Sequence, residues 1–112
     1  MRKTFKILNY QAKVYTYASG GGAPSNFETL ISVRGEVDTV YIHFVTEFSK
    51  EKQAVWFLEN NFGRIYMKEK LFSIIIDLLR NEEPCYCTIS NDGTGHGTIS
   101  TGLEPIGEEE SN

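Results

Sequence analysis

Lys68-Glu69-Lys70-Leu71-Phe72-Ser73-Ile74-Ile75-Ile76-Asp77-Leu78-Leu79-Arg80-Asn81 is the stretch on which the reading of this chain turns. Successive residues of an α-helix are rotated by about 100°, which gathers Lys70, Ser73, Asp77, Arg80 and Asn81 into an arc of roughly 100°. Leu71, Phe72, Ile74, Ile75, Ile76, Leu78 and Leu79 then span about 200° of the same helix. The spacing predicts one amphipathic helix over Lys68–Asn81. Packing on a single sheet covers only about half of that apolar arc, so a second cover is expected. A curled sheet, the segment after residue 100 and a second copy of the chain are the candidates, and exposed apolar area favours the second copy. Phe72, Ile75, Ile76 and Leu79 are the residues assigned to that contact.

Around this helix the pattern is of strands. From Phe5 to Ala18 apolar side chains fall on both parities, with Leu8, Tyr10, Ala12 and Val14 on one and Phe5, Ile7, Tyr15 and Tyr17 on the other, which suggests a bulge midway. Ser19-Gly20-Gly21-Gly22-Ala23-Pro24-Ser25 reads as a loop. Phe27–Val33 and Val37–Val45 form a hairpin about Arg34-Gly35-Glu36, with Gly35 available for a positive φ. Ala54–Leu58 reads as a buried strand after the charged turn Ser49–Gln53, and Arg64–Met67 is extended. Pro84–Ser90 and Gly97–Thr101 make a final pair joined through Asn91-Asp92-Gly93-Thr94-Gly95-His96. The expected architecture is α+β: an antiparallel sheet of about five to seven strands with the one main helix packed on one face.

Length and charge narrow the functional classes. A chain of 112 residues supports a single core, so a one-domain body over residues 1–103 is expected, followed by an acidic tail at 104–112. Lys plus Arg number 11 against 15 Asp plus Glu, for a net charge of −4. Glu104, Glu108, Glu109 and Glu110 account for the whole excess, leaving a neutral body. A neutral body without evident basic interleaving argues against nucleic acid as a partner. No run approaches the length of a membrane span and no signal-peptide pattern is present, so a cytoplasmic location is expected. Cys85 and Cys87 share one strand face and are too close along the chain for an unstrained bridge, which makes them core thiols and not a metal pair.

Few side chains suggest chemistry. His43 stands beside Tyr41 on the wetter face of its strand and titrates near neutral pH when unperturbed. With Glu47 these residues offer the alternative reading, a small enzyme with a His/Tyr/carboxylate pocket. His96 at a hairpin tip reads as a solvent-exposed residue. Neither glycine-rich segment stands between a strand and a helix N-terminus, as a phosphate cradle requires. No metal and no cofactor is expected. Tyr15, Tyr17, Tyr41 and His43 are the candidate ligand or interaction residues, because tyrosines on a sheet face offer apolar area together with a hydroxyl. The leading expectation is a non-catalytic homo-oligomeric module that binds a small molecule or a protein, with a second copy of itself as first partner and no membrane.

Two stretches add a resemblance: Leu78-Leu79-Arg80-Asn81-Glu82-Glu83-Pro84-Cys85-Tyr86 and Ser100-Thr101-Gly102-Leu103-Glu104-Pro105-Ile106-Gly107-Glu108-Glu109-Glu110. Together they resemble short hypothetical proteins carried on mobile gene cassettes of bacterial integrons. The resemblance covers the C-terminal third and implies a compact α+β bacterial protein, often oligomeric, and it carries over no catalytic residue. Read physically, the first stretch ends a helix at Asn81, taken as a left-handed stop, and opens a strand after Pro84.

Overall fold

The structure, a computed structural model, describes residues 2–14, 27–45, 54–57, 60–93 and 95–102. Tyr15, Tyr17, the Gly20–Gly22 loop, Glu47, the turn at 49–53 and the tail at 104–112 lie outside the described residues. Among the described residues there are eight strands: β1 (Arg2–Lys6), β2 (Asn9–Val14), β3 (Phe27–Arg34), β4 (Thr39–Val45), β5 (Ala54–Phe57), β6 (Phe62–Lys68), β7 (Cys85–Ser90) and β8 (His96–Thr101). A 3₁₀ turn at Glu69–Leu71 leads into α1 (Phe72–Asn81). The fold is α+β, as expected, with one α-helix among the described residues, but the single sheet of five to seven strands is replaced by two sheets. One is three-stranded in the order β1-β7-β8, and the other is five-stranded in the order β2-β3-β4-β6-β5. All pairings are antiparallel except β4 with β6.

The division begins at Ile7 and Leu8. The Ile7 amide donates to the Cys85 carbonyl of β7 at 2.8 Å, and the next amide, of Leu8, donates to Arg34 of β3 at 2.7 Å. Two consecutive residues thus bond to two different sheets, and the strand passes from one to the other. The apolar parity changes across this step: Phe5 points inward from β1, whereas Tyr10 packs on the core from β2. What reads as a bulge in the sequence is therefore a change of sheet.

The inner faces of the two sheets enclose the core. Ile31 and Val33 of β3, Val40, Ile42 and Phe44 of β4, Ala54 of β5 and Ile65 of β6 meet Phe5, Cys87 and Ile89 of the three-stranded sheet. The helix closes this core by its central apolar residue. Ile75, in the middle of the 200° arc, is buried, and Leu71, Phe72, Ile76 and Leu79 pack beside it. The Phe72 ring meets Phe44 edge-on at 5.1 Å. Ile74, at the edge of the arc, is 54% exposed. Thus the four residues assigned to a subunit contact, Phe72, Ile75, Ile76 and Leu79, are placed in or against the chain's own core, and the helix leaves chiefly Ile74 uncovered.

Two local expectations change. Gly35 does not take a positive φ. A Cβ at that position would lie 2.7 Å from Phe5 Cδ2, so a close approach of the hairpin to β1 excludes a side chain there. Asn81 is not a left-handed stop either: α1 ends on Glu82 in extended conformation, its amide bonded to the Leu78 carbonyl at 3.0 Å. The buried Cys85 thiol completes this end, donating to the carbonyls of Leu78 at 3.5 Å and Glu82 at 3.3 Å. Both cysteines are free and buried.

Candidate functional site on the outer face of the five-stranded sheet

Strand side chains alternate between faces, so every inner residue of this sheet has an outer neighbour. The register fixes the outer set. One row runs Asn9, Arg34, Thr39, Phe62; the next runs Gln11, Ser32, Tyr41, Arg64, Val55; the third runs Lys13, Leu30, His43, Tyr66; and Val45 pairs with Lys68 beyond it. Tyr41 and His43, proposed from sequence, therefore share a face with Phe62 and Tyr66. The Tyr41 and Phe62 rings meet edge-on at 5.1 Å, and His43 and Tyr66 stack at 5.2 Å with planes 20° apart. The Arg64 guanidinium lies over the Phe62 ring at 5.4 Å. Such a cation–ring contact holds the arginine in place without consuming its N–H donors.

Among the described side chains, the charge on this face is of one sign. Lys13, Arg34, Arg64 and Lys68 are exposed there, and among the described side chains no Asp or Glu joins them. The described acids lie elsewhere: Glu36 and Asp38 in the β3–β4 turn, Glu69 and Asp77 on the 3₁₀ turn and helix, Glu82 and Glu83 after it, and Asp92 in the last turn. His43 is buried at 7% exposure, and its pKa falls to about 4 through desolvation first and the nearby Arg64 charge second. It is a neutral imidazole at pH 7. As such it stacks as an uncharged ring and is not the imidazolium that general-acid work near neutral pH ordinarily uses.

Sequence reading found Tyr41 and His43 but not Phe62, Arg64, Tyr66 and Lys68. The signal was local: Phe62-Gly63-Arg64-Ile65-Tyr66-Met67-Lys68 alternates aromatic and cationic residues at the strand period, with Gly63, Ile65 and Met67 turned inward. Lys13 and Arg34 reach the face only through pairing across β2, β3 and β4, which no single stretch reveals. His96 is exposed, as expected, at the start of β8, and the glycine-rich connection it follows runs from one strand, β7, to another. Among the described residues no cluster of His, Cys, Asp or Glu is arranged to hold a metal. Away from this face, a cleft of about 530 Å³ lies over the change of sheet, between Ile7–Tyr10 and Leu79–Glu83 with Cys85.

Comparison with protein-family models, with curated proteins and with solved structures finds no match to this chain. The described residues contain no helix long and apolar enough to cross a membrane.

Proposed function

We propose that this protein is a non-catalytic binding module whose ligand surface is the outer face of the five-stranded sheet. The observation that carries this reading is the composition of that face: ring-bearing Tyr41, His43, Phe62 and Tyr66 interleaved with Lys13, Arg34, Arg64 and Lys68, without a described carboxylate. Such a surface favours a ligand that is anionic and has flat apolar parts. The alternative acid–base pocket of Tyr41, His43 and Glu47 has less support, because a buried imidazole with a pKa of about 4 is a poor proton carrier at pH 7. NMR mapping of backbone amides tests the assignment, with inorganic phosphate, a nucleoside monophosphate and a glutamate-rich peptide as probes. Shifts should gather on β3, β4 and β6; shifts confined to the cleft beside Leu79–Glu83, or to no region, overturn it.

Self-association is part of the same reading. Leu8 is 55% exposed, Val14 69% and Ile74 54%, and β2 is a terminal strand of its sheet among the described residues. An uncovered strand edge with apolar flanks is open to pairing with another copy. Light scattering should give twice the 12.7 kDa of one chain, and a one-chain mass at millimolar concentration contradicts it. Two free thiols suit a reducing compartment, which supports a cytoplasmic location.

A further inference from the structure

Taking the outer face as a binding surface, we infer that its ligand is single-stranded nucleic acid. The inference rests on the order of residues along β6 as well as on their presence. Phe62, Arg64, Tyr66 and Lys68 all point outward from one strand, so ring and cation alternate in a line. Each step advances about 6.6 Å and the two rings stand about 13 Å apart, a spacing suited to the repeat of an extended polynucleotide chain. The adjacent strand widens the track, with Tyr41 beside Phe62 and His43 stacked under Tyr66. Arg34 and Lys13 extend the positive charge across β3 and β2.

Each component has a use in binding a single strand. Bases stack on aromatic side chains whatever their identity, and cations along the same line neutralise the phosphates. An acidic peptide would engage the cations but would leave the rings without a matching partner. A duplex keeps its base faces stacked inside, where these rings do not reach. The chain's net charge does not oppose the assignment, because its excess of acid falls within residues 104–112 and four of its eleven cations, Lys13, Arg34, Arg64 and Lys68, stand on this face.

Fluorescence anisotropy of the full chain with labelled oligothymidylate and oligouridylate of about 15 nucleotides tests this. Saturable binding at about 50 mM salt is expected, with log affinity falling against log salt at a slope of about −2 to −3, as four neutralised phosphates would give. Tyr66→Leu should weaken binding about 5- to 150-fold, and Arg64→Gln should reduce the slope by about 0.7. Arg64 is exposed, so the second variant keeps the test valid should the first fail to fold. A preference for either oligonucleotide supports the inference and tells DNA from RNA. Absence of saturable binding to both, or a duplex bound as tightly with Tyr66→Leu unchanged, overturns it. If phosphate or the glutamate-rich peptide still shifts the amides of β3, β4 and β6, the face remains a binding surface and only its ligand class is refuted; if no probe shifts them, both readings fall.

Discussion

Alanine at position 97 places a methyl group in space already filled by Ile65. Gly97 lies on the inner side of β8, where a Cβ would stand 2.5 Å from both Cδ1 and Cγ1 of Ile65 and 2.8 Å from its Cγ2. Carbon atoms in contact prefer about 3.5–4.0 Å, so one partner must give by about 1 Å. Ile65 is itself fully buried on β6, which leaves displacement of β8 as the main relief. Overpacking of this kind costs about 1–3 kcal/mol. With a urea dependence of about 1.5 kcal/mol per molar, a loss of about 2 kcal/mol lowers the unfolding midpoint by about 1.3 M. Ile65→Ala alone opens a cavity and should cost about 2–5 kcal/mol. The double variant is decisive, because the new methyl enters the space that Ile65 vacates. Its cost should fall short of the sum of the single costs by about 1–3 kcal/mol, measured by urea titration followed by circular dichroism. Costs that add within about 0.5 kcal/mol would refute the packing of β8 directly on β6.

Three further outcomes follow from the buried polar groups. His43 is held neutral below its ordinary range, so the unfolded chain takes up a proton first as pH falls from 6.5 toward about 4. Its contribution is intact above pH 6.5 and is lost across that window, on the order of 3 kcal/mol, and His43→Phe should flatten the stability–pH curve there by comparison with the parent chain. The Asp38 carboxylate is buried and lies 3.0 Å from Lys3 Nζ; Lys3→Met should cost about 1–3 kcal/mol in urea unfolding, and a neutral result would show that Asp38 is solvated. Burial lifts the Cys87 thiol to about 12 and raises that of Cys85, so both should resist a disulfide reagent at pH 8 until the chain is unfolded. Rapid labelling of the native protein would contradict their burial.

The body of the helix, the β5 strand and the last hairpin were legible because each depends on a local period or on a nearby turn residue, whereas the helix begins at Phe72 and not at the expected Lys68, which ends β6. The division into two sheets was not, because it depends on which partners Ile7 and Leu8 find, and those are Cys85 and Arg34, far along the chain. Gly35 shows the same limit: its sequence context suggests a turn requirement, whereas the constraint is the ring of Phe5 in another strand. For the site, the alternation in Phe62–Lys68 was available but carries meaning only once the inner residues Ile65 and Met67 are known to be covered. The parallel pairing of β4 with β6 then brings Tyr41 and His43 beside it, a register that no adjacent turn encodes.

The central claim is that the outer face of the five-stranded sheet is where this protein meets its ligand. Photo-crosslinking to an oligonucleotide carrying thiouridine, followed by mass spectrometry of the peptides, tests it most directly. Adducts are expected on β4 and β6, within Thr39–Val45 and Phe62–Lys68, and should disappear in high salt. Adducts on β7 and β8, or in the cleft between Ile7–Tyr10 and Leu79–Glu83, would contradict it.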